Sequence, residues 1–166
     1  MDYRFIVLLI LVFTLSATYG YSDDYQDGIE AFEQKDFKRA FEKLRPLAEK
    51  GMADAQYNLG VMYEQALGVK QDYQEAIRWW RLSAEWRPSG NQGSSQAKYR
   101  LGVFYDKGYG VSPDPEEAFK WYKLSAEQGN AEAQLKLGLI YLGRLKVAQD
   151  YIEAIEWFWR WVNNVW

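Results

Sequence analysis

The chain of 166 residues has no cysteine and no histidine. Without thiolate or imidazole, Cys-His and Ser-His-Asp nucleophile systems and Cys/His zinc sites are excluded, so any catalysis would rest on carboxylates, Lys, Tyr or Ser. No disulfide can form, and the fold must be held by its core alone. An excess of positive charge is also missing. Twenty Lys and Arg stand against 23 Asp and Glu for a formal charge of −3, and the cations are scattered among acids. Nucleic acid would find no electropositive stripe and is not an expected partner. No Asn-X-Ser/Thr acceptor occurs. What is abundant is apolar: 48% of residues are hydrophobic and 17% aromatic, ample for a core, so disorder is expected only at the termini and in one loop.

The N-terminus reads as an address. Arg4 precedes the apolar run from Phe5 to Phe13, and Ala17, Thr18 and Gly20 supply small residues after it. The run is about half of the roughly 20 residues a spanning helix needs, but it matches the apolar core of an export signal. Residues 1–20 are therefore expected to be a signal peptide that places the chain in the periplasm or outside the cell. An uncleaved signal would be the only membrane attachment.

Three stretches beyond residue 50 repeat one pattern. Ala55, Leu59, Gly60, Tyr63, Asp72, Glu75, Ala76, Trp79 and Trp80 recur as Ala97, Leu101, Gly102, Tyr105, Asp114, Glu117, Ala118, Trp121 and Tyr122. A third copy supplies Ala133, Leu137, Gly138, Tyr141, Asp150, Glu153, Ala154, Trp157 and Phe158. The anchoring aspartates Asp36, Asp72, Asp114 and Asp150 are 36, 42 and 36 residues apart, so a half-copy precedes the first repeat. A fixed period of this size marks a solenoid, in which no unit can hide its apolar face alone and stacking builds the core.

Periodicity within each copy is helical: Ala55, Leu59 and Tyr63 form one stripe, as do Ala76, Trp80 and Ala84. With Asp at starts and Gly at ends as cap signals, the spacing predicts eight helices in four hairpins. The units are a leading hairpin at 21–51, repeats at 52–87, 95–130 and 131–166, and an inserted Pro/Gly/Ser-rich loop at 88–94. Gly60, Gly102 and Gly138 recur inside helices, where glycine costs up to about 1 kcal/mol, which predicts a backbone-to-backbone approach at each. Gly68 and Gly110 predict turns needing positive φ, each plugged by the following Val. Arg144 and Lys146 at the matching positions of the third copy predict a distorted turn.

The motif Ala-x-x-x-Leu-Gly-x-x-Tyr, followed by Gly-x-Gly-Val, Asp-x-x-x-Ala-x-x-Trp-Tyr and Ala-Glu-x-Gly, closely resembles the Sel-1-like repeat family, relatives of tetratricopeptide repeats. It covers residues 53–158 well and 25–51 as a tetratricopeptide-like hairpin. The resemblance implies an all-α, right-handed αα-hairpin solenoid of about four hairpins. It also implies an adaptor that presents its concave face to a protein or peptide, without cofactor, metal or catalytic residue. Cysteine-rich relatives suggest an alternative, a hydrolase acting on cell-wall or β-lactam substrates, but this chain lacks their Cys pairs.

If the first helices line the concave side, the residues beside the packing stripe form the partner face. These are Tyr57, Val61, Glu64 and Gln65; Tyr99, Val103, Asp106 and Lys107; and Leu135, Leu139, Leu142 and Gly143. The alternative is that Tyr57, Tyr99 and Leu135 pack against the next hairpin. Trp79, Trp121 and Trp157 recur in phase and are expected to pack between hairpins, not to stack on sugars. Asp72, Asp114, Asp150 and the glutamates that follow them are expected to be helix caps and first-turn acids, not general acids or bases. The C-terminus breaks the pattern: Trp159, Trp161 and Trp166 either fold over the last hairpin as a lid or form a patch for a second subunit or partner.

Overall fold

The computed structural model describes residues 23–85, 93–143 and 148–165. Among these there are eight helices and no strand: α1 at 23–33, α2 Phe37–Glu49, α3 Ala53–Gln65, α4 Tyr73–Ala84, α5 Ser95–Lys107, α6 Pro115–Glu127, α7 Ala131–Gly143 and α8 Ala148–Val165. From α2 onward, the substantial contacts all join consecutive helices, the arrangement of a stacked-hairpin solenoid. The expected signal segment, most of the inserted loop, the turn at 144–147 and Trp166 lie outside the described residues. No helix among the described residues is long and apolar enough to cross a membrane.

Caps define the helix starts. The carboxylate of Asp72 accepts from the Gln74 and Glu75 amides, that of Asp114 from Glu116 and Glu117, and that of Asp36 from Arg39. Asp150 differs: α8 begins at Ala148, so this aspartate sits inside the first turn. The turns carry Gly68 at φ 70° and Gly110 at φ 69°, with Val69 and Val111 packed beneath them.

The core runs across hairpin boundaries as well as within hairpins. Ala76, Ile77, Trp80 and Ala84 of α4 share one cluster with Ala97, Leu101 and Phe104 of α5. Ala118, Tyr122 and Ala126 of α6 share another with Ala133 and Leu137 of α7 and Trp157 of α8. Each fully buried Leu or Phe contributes about 1.5 to 3 kcal/mol, part of which a hairpin on its own would forgo. Polar bonds recur in the same phase. The Gln56 and Gln134 carboxamides donate to Ala48 O and Ala126 O, and the Ser83 and Ser125 hydroxyls donate to Ala53 O and Ser95 O. These bonds satisfy carbonyls at helix ends and alcohols in the core.

One expectation needs correction. The recurrent helix glycines do not admit a second backbone; they admit a ring. Gly60 lies under the Trp80 indole, Gly102 under Tyr122 and Gly138 under Phe158, in each case from the second helix of the same hairpin. A side chain large enough to fill the hairpin needs a flat seat, and glycine provides it.

Candidate interaction groove on the first helices

The first helices α3, α5 and α7 lie side by side, and their starts enclose an open groove of 250 Å³ lined by Tyr57, Gln96, Tyr99, Arg100, Asn130 and Glu132. Enclosed small-molecule pockets run roughly 300–1,000 Å³. This groove is smaller and open, suited to one or two side chains of a chain laid across it. Its polar groups are placed by helix starts: Asn130 Oδ1 caps α7 by accepting from the Ala133 amide at 2.8 Å, and Gln96 lies in the first turn of α5.

Arg100 joins the groove to a series of links between successive hairpins. Its Nη1 is 3.4 Å from Glu64 Oε1, and Lys136 Nζ is 3.0 Å from Asp106 Oδ2. Asn58, at the same phase, donates to the Tyr25 hydroxyl at 3.3 Å. Burial works against the Arg100 charge, but the Tyr57 hydroxyl and Glu64 outweigh it and hold the guanidinium above its ordinary value. The Tyr122 hydroxyl donates to Asp106 at 3.4 Å, and burial together with that carboxylate pushes its pKa far above the usual phenol range. The second Glu64 oxygen is buried with no donor.

The structure separates the expected partner residues. Tyr57 and Tyr99 meet in the groove. Both tyrosines also pack against the cores they border, as Val61 and Val103 do, so the packing alternative holds for part of each ring. Gln65 and Lys107 are exposed at the far ends of α3 and α5, Leu135 is half-buried and Leu139 is half-exposed on α7. The contribution of Gln96, Asn130 and Glu132 was missed, since only positions counted from the Leu were considered. The Arg100 and Lys136 links were missed too, although their shared phase signals them.

Trp79 and Trp157 are buried and Trp121 packs against the α4/α5 cluster, which leaves no open ring face for a sugar on the two buried ones. The recurrent glutamates are engaged: Glu75 pairs with Arg78 at 2.8 Å and Glu117 with Lys120 at 3.2 Å. Among the described residues no group of three or more metal-ligating side chains converges.

The family model for the Sel1 repeat matches residues 53–85, 95–130 and 131–159. The chain belongs to the Sel1 repeat family. Solved structures agree. A Sel1 repeat protein from Oxalobacter formigenes is 32% identical over 86% of this chain, with a TM-score of 0.75. A protective antigen of uropathogenic Escherichia coli with an SLR fold is 34% identical over 90% of this chain, with a TM-score of 0.77. The chain spans 54% of the first and 32% of the second. No curated protein matches it. Sel1 repeat proteins generally serve as scaffolds for protein–protein interaction, and the helical hairpin solenoid described above is their fold.

Proposed function

We propose that this Sel1 repeat chain is an exported, non-enzymatic adaptor that holds an extended segment of a protein partner in the groove across α3, α5 and α7. The observation that carries this reading is the convergence of two tyrosines and two side-chain amides, Tyr57, Tyr99, Gln96 and Asn130, on one open groove. Rings give apolar contact at low entropic cost, and amides match the donors and acceptors of an extended backbone. The Arg100–Glu64 pair holds one wall in register, and Glu132 adds an exposed acid suited to a basic residue of the partner. Export rests on the pattern of residues 4–20, and the periplasm or the extracellular space is the proposed setting.

A display library of short peptides probed with the purified chain tests the groove. Selected segments should lose binding to Gln96→Arg and Glu132→Arg variants that keep the helicity of the parent, since both side chains are exposed. Undiminished binding would refute the assignment. Val103→Lys would be a poor probe, because Val103 supports the α6/α7 core. Cell fractionation with mass spectrometry of the N-terminus tests export.

A further inference from the structure

One helical stripe on α4 receives the next hairpin. Gln74 Nε2 donates to Gly110 O, Ile77 and Ala84 are buried in the cluster shared with α5, and Arg81 Nη2 donates to the Tyr105 hydroxyl. The same stripe on α8 is Ile152, Ile155, Trp159 and Val162, which are 51%, 66%, 68% and 44% exposed. The two polar members of the inner stripe have become Ile and Trp. A surface already shown to accept a helix has thus been made wholly apolar, and none of the described residues covers it.

The chemistry of the stripe selects its occupant. Another hairpin like the inner ones would bring a tyrosine hydroxyl onto Trp159 and a turn carbonyl onto Ile152, forfeiting the two hydrogen bonds that α4 offers there. The first described helix is no match, because α1 exposes Asp23, Asp24, Gln26, Glu30 and Glu33. The stripe itself is a match. Its members are spaced three, four and three residues apart, the same in both directions. A two-fold axis near residue 157 therefore sets Ile152 against Val162 of a second copy and Ile155 against Trp159, apolar on apolar throughout.

We infer that the chain forms an isologous dimer in which α8 packs antiparallel against α8 of a second copy through Ile152, Ile155, Trp159 and Val162. This surface is separate from the groove on the first helices. Of the terminal tryptophans, Trp159 supplies the contact. Trp161 is half-buried at the phase where Ser83 and Ser125 bond the first helix of their own hairpin, so it serves as the lid.

Sedimentation equilibrium of the purified chain should report twice the chain mass. Ile155→Lys with Trp159→Lys, both at exposed positions, should weaken self-association by at least about tenfold while helicity is retained. Because the chain has no cysteine, linkage can be read without background. Glu156→Cys, beside the proposed axis, should oxidise to a linked dimer, whereas Glu30→Cys on α1 should not. A monomer at all concentrations, a dimer indifferent to the two lysines, or preferential linkage of Glu156→Cys to Glu30→Cys chains would each overturn the two-fold pairing.

Discussion

The Tyr122 ring rests on Gly102 so closely that a Cβ at Gly102 would stand 2.6 Å from Tyr122 Cδ1 and 2.7 Å from Cε1. Gly102→Ala therefore sets a gain in helix propensity of about 1 kcal/mol against an overlap with a fully buried ring. Overpacking of this kind costs about 1 to 3 kcal/mol, so a net loss is expected and Gly102→Leu should lose more. Gly143 has nothing within 4 Å of such an atom, and Gly143→Ala should stay within about 0.5 kcal/mol of the parent. Urea denaturation of the three variants checks the contrast; equal stability of Gly102→Ala and Gly143→Ala would contradict the ring-seat account.

Ala66 ends α3 at φ 57° and ψ 38°, the left-handed conformation that Gly108 adopts at the end of α5 with φ 74°. A Cβ in that conformation costs about 1 to 2 kcal/mol, and the greater freedom of glycine in the unfolded chain returns part of it. Ala66→Gly should stabilise by about 0.5 to 1 kcal/mol in thermal or urea unfolding. A loss of stability would show that the Ala66 methyl is needed for packing.

Lys98 occupies the phase at which Gln56 and Gln134 bond helix-end carbonyls; it is 7% exposed, and its Nζ donates to Gln128 Oε1 at 2.8 Å. Burial lowers its pKa from the ordinary 10.5. Below the folded value both states hold the proton and the burial penalty is complete. Between the folded value and 10.5 the unfolded chain holds more protons, so stability rises with pH in that window. Lys98→Met should therefore be more stable than the parent at neutral pH, and its advantage should shrink as pH rises toward 10. Parallel urea curves at neutral and alkaline pH measure that difference. An advantage independent of pH would assign the effect to packing.

Much of the fold was legible because each hairpin repeats the same physical solution. Asp72 and Asp114 announced helix starts, Leu59, Leu101 and Leu137 announced the buried stripe, and Gly68 and Gly110 announced the turns. The identity of what sits on Gly60, Gly102 and Gly138 was not legible, since a missing Cβ reports closeness and not the neighbour. The groove was half legible. Tyr57 and Tyr99 follow from counting along one helix, but Asn130 and Glu132 enter from the start of the next hairpin, a relation set by the offset between stacked units. Val61 and Val103 lie on the same arc as the tyrosines, and all four pack against the hairpin cores, so counting along a helix does not tell a groove wall from a core wall.

Because the substantial helix contacts from α2 onward join only consecutive elements, no part of the array depends on a distant one for its shape. Reach then becomes a matter of copy number: in-frame duplication of the segment carrying α5 and α6 would lengthen the molecule by one rung and leave both flanking junctions chemically familiar.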